Sequence, residues 1–334
     1  MAAEPSKQIF HFPIIIPRRW VTPSTPNTAT NTSTSSSSCG GEDLPFVHFY
    51  NILSLVTVLV SACGAAGNGA VIWLLGFRGK RTPFSVYVLH LACADAAFLL
   101  SRSVLLTLLL LRLHGHVLCW LVDPLALSSY LAGLGLLVAI GAERCVSVLW
   151  PLWHRCRRPA RLSSVVCGLI WALSLCGVIT WLLCVHFVGL PRHSLHFIYY
   201  VAVATTFLLL CASGLTLLLR ARCISLRRPP TRLYVTVLLK VLAFLLLALP
   251  YTVAATVYVL APALPYQGTL LPILRILSVL NSLVNPIIYF FVGRHGQRPG
   301  RAPLREVLQR ALRDEEEGAG HGGSPVSAET TTST

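Results

Sequence analysis

Long apolar runs separated by short polar connections make up most of the sequence. A membrane-spanning helix needs about 20 consecutive, mainly apolar residues. Seven runs meet this length: 46–76, 83–111, 117–148, 162–188, 195–219, 233–261 and 270–292. The pattern therefore predicts an all-α membrane protein, a seven-transmembrane helix bundle over residues 46–293.

The connections between these runs carry positive charge very unevenly. The connections after runs one, three and five contain three, four and five Lys or Arg residues, whereas the other three contain only Arg112 and Arg192. Short cytoplasmic loops of membrane proteins are enriched in Lys and Arg. The sequence therefore predicts an N-terminus outside the cell and a C-terminus inside.

The composition agrees with a membrane location. Hydrophobic residues make up 54% of the 334 residues and charged residues only 12%, whereas soluble domains carry about 25% charged residues. The net charge of +15 lies in the connections and the C-terminal tail, not on one solvated face as in proteins that bind nucleic acid. We therefore expect membrane lipids, and not nucleic acid, around this chain.

Both ends of the chain are polar. Residues 1–45 are rich in Pro, Ser and Thr and cannot bury enough apolar surface to fold, so they are predicted to form a disordered extracellular tail. In this tail Asn31 begins an Asn-Thr-Ser glycosylation sequon. Residues 294–334 form the predicted cytoplasmic tail, where apolar residues at helical spacing predict an amphipathic helix at about 302–313 on the inner leaflet.

Polar residues inside the apolar runs are the candidates for function, because such groups are costly at membrane depth unless they pair or face the protein interior. Asp95 is a lone acid in the middle of run two. The side chains expected to satisfy it are Asn68, Asn281, Ser282 and Asn285. Pro250 in run six and Pro286 in run seven break helical hydrogen bonds and mark bendable points. The alternative is a polar cluster that only holds helices together.

A charged pair, Glu143-Arg144, ends the apolar part of run three, and a Trp-Pro step and a basic cluster follow it. An Arg that merely extends to the membrane surface is the ordinary interpretation of one such residue. The other polar motifs, which occur in order on three further runs, favour a functional pair instead.

Together these motifs resemble those of rhodopsin-like G protein-coupled receptors, and in detail those of the Mas-related family. The stretches that carry the resemblance are GNGAVIWLLGF, LHLACAD, ERC, CRRPARLS, ALPY, NSLVNPIIY and PLREVLQRALRDE, within residues 46–317. Ala248 stands where most rhodopsin-like receptors have Trp. The resemblance implies a plasma-membrane receptor, without enzymatic activity or cofactor, that binds an extracellular ligand and activates a heterotrimeric G protein. It assigns the switch facing the G protein to Glu143, Arg144 and Tyr289, and the hinge to Pro250.

The sequence departs from the contacts that the resemblance implies for Arg144. In many such receptors an acid on helix six holds this Arg, but no Asp or Glu occurs between Glu143 and Glu306. We therefore expect Arg144 to pair inside the bundle only with Glu143, and Tyr289 to swing toward Arg144.

A second departure concerns sodium, which related receptors often hold beside the Asp95 position with help from a helix-three hydroxyl. Residues 131–142 are all apolar or Gly. We therefore expect Asp95 to act in a hydrogen-bond network with weak or absent sodium dependence. Lys240, on the inner half of run six, is expected to extend to the membrane surface.

Two arginines in the outer half of the predicted bundle suggest the class of ligand. Arg102 lies on run two and Arg275 on run seven, and a guanidinium presents forked donors that suit a carboxylate or phosphate. With Asp123 and Tyr130 on run three they form the candidate ligand site, for an acidic or zwitterionic ligand. The alternative is that Asp123 pairs with one Arg and only staples helices.

The sequence gives only weak indications of a disulfide bond or a metal site. In many receptors of this kind the Cys at the position of Cys119 bridges to the loop after helix four; here that loop has no Cys, and Cys184 near the end of run four is the remaining candidate. Four histidines near the outer rim lack Cys or acid companions and are expected to be solvated, without a metal. They are His114, His116, His193 and His196.

A seven-helix transporter is the alternative from another functional class. Transporters usually show repeated halves and paired broken helices, and no such repeat is visible in the sequence. A ligand-evoked calcium or cyclic-nucleotide response favours a receptor, and solute flux favours a transporter.

Overall fold

A computed structural model describes residues 43–77, 82–111, 113, 116–184, 187, 201, 204–216, 219, 232–260, 267–294 and 306–308. Several sequence predictions fall elsewhere in the chain: the Asn31 sequon, His114, His193, His196 and most of segment 302–313. The side chains of His116, Cys119 and Asp123 also lie outside the described set.

The apolar runs fold as helices, because a backbone inside a membrane must satisfy its hydrogen bonds within its own segment. The described helices are α1 (Asp43–Phe77), α2 (Pro83–Leu110), α3 (His116–Leu149), α4 (Pro151–Cys156), α5 (Leu162–Leu183), α6 (Ala204–Thr216), α7 (Arg232–Ala243), α8 (Leu249–Leu260) and α9 (Gln267–Arg294). A π-helical turn, Phe244–Ala248, joins α7 to α8.

Six helices in the described part of the chain are long and apolar enough to cross a membrane. They correspond to predicted runs one, two, three, four, six and seven, with α7 and α8 forming run six. Within run five the described helix is the shorter apolar α6. The prediction of an all-helical membrane fold is thus confirmed for six of its spans.

The start of α2 shows how local sequence fixes a helix end. The hydroxyl of Thr82 accepts a hydrogen bond from the Ser85 amide at 3.1 Å, and the Ser85 hydroxyl accepts one from the Thr82 amide at 2.8 Å. This reciprocal capping satisfies two backbone donors. Pro83 occupies the first helical position, where a missing N–H costs nothing.

Helix packing in the bundle depends on small residues at the crossings. A Cβ built on Gly64 of α1 would lie 2.8 Å from a Leu99 methyl of α2, and one on Gly135 of α3 would lie 2.9 Å from an Ile170 methyl of α5. Association in lipid relies on close backbone approach rather than on the hydrophobic effect. Larger side chains at these positions therefore force the helices apart.

The last described residues return to the inner end of α9. Val307 and Leu308 are buried, with 1% and 5% exposure, and the backbone of Val307 leaves no room for a side chain at Gly293. These two apolar side chains pack on protein. The amphipathic helix over 302–313 stays a prediction, because only residues 306–308 are described as helical.

Cys184, directly after α5, is a half-buried free thiol. The structure therefore does not form the Cys119–Cys184 disulfide considered from the sequence.

Candidate functional site

Buried polar side chains occur at three levels of the bundle, whose ends are called outer and inner after the predicted orientation. We define an outer cluster, a middle network and an inner cluster. Their members are, in that order, Arg102, Tyr130, Tyr251, Thr252 and Arg275; Asn68, Asp95, Asn281, Ser282 and Asn285; Glu143, His154, Arg158 and Ser163.

The inner cluster joins α3 to the connection that leads into α5. An Oε1 atom of Glu143 accepts a hydrogen bond from Nε of Arg158 at 2.7 Å and lies 3.0 Å from Nε2 of His154. Arg158 also donates to the Ser163 hydroxyl at 2.5 Å. The Glu143 and Arg158 side chains are only 8% and 5% exposed, so this is a buried ion pair.

The expected pair between Glu143 and Arg144 is therefore wrong. Consecutive residues on a helix point about 100° apart and do not face each other. The carboxylate of Glu143 turns to the basic connection, while the guanidinium of Arg144 lies 4.8 Å from the ring centroid of Phe84 on α2. The CRRPARLS segment, which contains Arg158 and Ser163, follows α3 closely in the sequence. The sequence analysis did not consider it as a source of partners for Glu143.

The middle network brings Asp95 and Asn285 together as the sequence suggested. Nδ2 of Asn285 donates to Oδ2 of Asp95 at 2.6 Å across α9 and α2, and Ser282 is buried about one turn away on α9. Asn281 is buried at the same level, with 7% exposure.

Asn68 has a different partner from the one expected. Its Nδ2 atom donates to the carbonyls of Gly64 at 3.0 Å and Ser282 at 3.1 Å. Pro286 has no N–H, so it cannot donate to the carbonyl four residues earlier, which is that of Ser282. Asn68 of α1 supplies the missing donor, and this joins α1 to α9 where Pro286 interrupts the helical hydrogen bonds.

Tyr289 and Lys240 meet in the interior below the middle network. The Lys240 amine donates to the Tyr289 hydroxyl and lies 4.4 Å from the centroid of its ring. Lys240 is 2% exposed and Tyr289 is 1% exposed. The expectation that Lys240 extends to the membrane surface is wrong, because it shares an inward-facing side of α7 with the buried Val237 and Val241. Tyr289, expected near Arg144, bonds to Lys240.

The outer cluster assembles residues from four helices. The Tyr130 hydroxyl hydrogen-bonds with the Thr252 hydroxyl at 3.0 Å. The ring of Phe98 lies 5.4 Å from the ring of Tyr130 and 5.5 Å from the guanidinium of Arg102. Arg275 of α9 and Tyr251 of α8 are also buried, and Tyr251 is 8% exposed. Both arginines are 5% exposed.

The structure thus brings two of the four predicted ligand-site residues, Arg102 and Tyr130, within 5.5 Å of the Phe98 ring, and it buries the third, Arg275, on α9. The structure does not describe the side chain of the fourth, Asp123. Tyr251 and Thr252 were missed, although they directly follow Pro250 and their hydroxyls break an otherwise apolar run.

The predicted hinge, Pro250, lies in the first turn of α8 after the π-helical turn. In this turn the Leu249 amide donates to the carbonyl of Phe244, five residues earlier. Pro250 has no N–H for the carbonyl of Leu246, and π-type hydrogen bonding is one way in which membrane helices accommodate such a residue. The helix is therefore irregular where a hinge is needed.

The sequence is similar to those of known membrane receptors. The family described as "7 transmembrane receptor (rhodopsin family)" matches residues 67–289. Mas-related G-protein coupled receptor member X1 of Homo sapiens is 44% identical over 79% of this chain and 84% of its own length. Member X3 of Macaca mulatta is 42% identical over 83% and 88%, and member X1 of Mus musculus is 40% identical over 78% and 84%.

Proposed function

Because the chain belongs to the Mas-related family of G protein-coupled receptors, which are multi-pass plasma-membrane receptors and not enzymes, we propose that it transmits the binding of an extracellular ligand to a heterotrimeric G protein. The N-terminus lies outside and the C-terminus inside, as the charge of the connections favours. Ligand binding in the outer cluster changes the packing of the helices at the inner end.

One observation supports this proposal. Helix α9 carries buried polar side chains at successive depths of the bundle, from the outer cluster inward. Arg275 belongs to the outer cluster, Asn285 to the middle network, and Tyr289 lies further inward. The 14 residues from Arg275 to Tyr289 span about 21 Å. A ligand that moves Arg275 therefore acts on a helix that can bend at Pro286. Pro286 lies between Asn285 and Tyr289.

The second moving part is the helix formed by α7 and α8. Tyr251 and Thr252 of the outer cluster directly follow Pro250, so a ligand that contacts them acts beside the hinge. Hinges absorb a change in a few backbone angles and amplify it at a distance. The inner end of α7 then moves outward and opens a cavity for the G protein, beside Arg144.

The ligand of the outer cluster is acidic or zwitterionic. Arg102 and Arg275 place two guanidiniums in a region that is closed to water, where a carboxylate or phosphate gains charge-assisted hydrogen bonds. We assign any ligand amine to Asp123. The forked donors of Arg bind a carboxylate in a bidentate manner, which Lys cannot do.

A screen of the cell-expressed receptor against amines, amino acids, nucleotides and short peptides tests the proposal, with G protein activation as the readout. For the best acidic agonist, Arg102→Ala and Arg275→Ala should each raise the half-maximal concentration about 10- to 150-fold, since a hydrogen bond to a charged group contributes about 1.5–3 kcal/mol. The Arg→Lys variants should lose less, because Lys keeps the charge. Surface expression should not change.

Arg112→Ala is the control, because the sequence places Arg112 in an outer connection rather than in the outer cluster. A polycationic best agonist that is indifferent to both Arg substitutions would contradict the pocket assignment. Loss of surface expression in both the Ala and the Lys variants would instead support the helix-stapling role.

A further inference from the structure

The guanidinium of Arg144 lies over the face of an aromatic ring at the inner end of the bundle. Its Cζ atom is 4.8 Å from the ring centroid of Phe84 on α2. Arg144 is 6% exposed and Phe84 is 3% exposed, so little water reaches this contact. A cation gains more from a ring face when both groups are desolvated than at an exposed surface. The contact therefore links α3 to α2 with a significant energy.

The local sequence fixes the position of the Phe84 ring. Phe84 is the second residue of α2, directly after Pro83, and it lies between the two residues of the capping box, Thr82 and Ser85. It also belongs to the main buried hydrophobic cluster of the bundle. A helix start closed by reciprocal capping resists unwinding. The ring is therefore the fixed surface of this contact, and the long side chain of Arg144 is the part that can move.

The residue next to Arg144 in the sequence binds elsewhere. The carboxylate of Glu143 accepts a hydrogen bond from Arg158 at 2.7 Å and lies 3.0 Å from His154. A buried guanidinium is costly unless its charge is compensated, and the negative face of an aromatic ring supplies part of this compensation. Glu143 and Arg144 are thus positioned by different elements, Glu143 by the connection into α5 and Arg144 by α2.

We propose that Phe84 is the positioning residue that holds Arg144 in the resting receptor, and that Arg144 leaves this ring when a G protein contacts its guanidinium. The proposal rests on the proposed function. At 6% exposure the Arg144 side chain is covered, so a partner reaches it only after the outward movement of α7 has opened the cavity beside it. A cation–π contact is weaker than a buried ion pair, so Phe84 favours the resting state only moderately.

Thermal unfolding of the purified full-length receptor tests the contact in a double-mutant cycle of Phe84→Leu and Arg144→Leu. Phe84→Leu removes the ring but keeps a buried apolar side chain. It should lower Tm by about 2–4 °C more in the wild type than in the Arg144→Leu background, where no guanidinium remains to be lost from the ring. Additive changes in Tm would overturn the proposal.

Ligand-free G protein activation in cells, at matched surface expression, tests the role of the contact. Phe84→Leu should raise the ratio of active to resting receptor about 2- to 30-fold, the range expected for a cation–π contact. Phe84→Tyr keeps a ring face and should stay close to the wild type. Phenylalanines with one, two and three ring fluorines at position 84 should raise basal activity stepwise, because fluorine withdraws electrons from the ring face. A purely structural role does not give this graded response.

Leu91→Ala is the matched control for looser packing between the same two helices. Leu91 is 1% exposed and lies about two turns further along α2, where a Cβ built on Gly133 of α3 would be 4.0 Å from its methyl group. Gly133 is about 16 Å along α3 from Arg144. Leu91→Ala should therefore lower Tm without raising basal activity.

An unchanged basal activity in Phe84→Leu, a flat response to fluorination, or an equal rise in Leu91→Ala would each overturn the proposal. The double-mutant cycle uses neither ligand nor G protein. Additive Tm changes together with G protein activation by the wild type would overturn the role of Phe84 and leave the proposed function intact, so the two failures are distinguishable.

Discussion

The buried pair between Glu143 and Arg158 predicts a large and specific stability loss when Arg158 is replaced by Met. The substitution keeps most of the side-chain volume but removes the donors that bind Glu143 at 2.7 Å and Ser163 at 2.5 Å. It leaves a carboxylate that is 8% exposed with His154 as its remaining partner in the inner cluster.

The magnitude follows from the burial of the pair. Removing one partner of a buried ion pair costs about 3–5 kcal/mol. We expect the lower end, about 3 kcal/mol, because His154 remains 3.0 Å from the carboxylate and is itself 20% exposed. With about 2–4 °C per kcal/mol for a large domain, Tm should fall by about 6–12 °C.

The chain offers a matched control in the next residue. Arg157 is exposed, so Arg157→Met removes the same charge without breaking the pair, and its effect should stay within about 0.5 kcal/mol. Thermal unfolding of the purified receptor measures both. Glu143→Gln in the Arg158→Met background should recover part of the loss, since it removes the unpaired charge. Equal Tm values for Arg157→Met and Arg158→Met would refute the argument.

Two further predictions concern signalling and the contact between α1 and α9. We expect ligand-free G protein activation above that of an Arg144→Ala control at matched expression, because the sequence has no Asp or Glu between Glu143 and Glu306 that could stabilise the inactive state from helix six. Basal activity equal to that of the control would contradict this expectation. Asn68→Leu should lower the free energy of unfolding by about 1–3 kcal/mol, because the Ser282 carbonyl then loses its hydrogen-bond donor. Thermal unfolding measures this loss, and a Tm equal to that of the wild type would contradict the prediction.

Much of the fold was predictable because the membrane imposes a simple rule on the sequence. Each described helix that is long enough to span coincides with a predicted apolar run, and Pro83 begins both run two and α2. The contact between Asp95 and Asn285 was also predictable from the sequence. A lone acid in an apolar run must find a donor, and few side chains on the other runs can supply one.

The contacts that were mispredicted depend on the rotation of helices about their own axes. Run six is apolar on most of its circumference, so its sequence does not show that Lys240 faces Tyr289. The π-helical turn adds a local change in that rotation. The partner of Glu143 was missed for a related reason, because adjacency in sequence was taken for adjacency in space.

The partner of Glu143 also bears on the ligand. Glu143 is held by Arg158 at the inner end of α3, and Asp95 lies in the middle network beside Asn285. Neither carboxylate belongs to the outer cluster, whose side chains are two guanidiniums and three hydroxyl groups. Arg102 and Arg275 bring positive charge to this region, which favours an anionic group on the ligand over a cationic one. This charge is the physical reason for proposing an acidic or zwitterionic ligand.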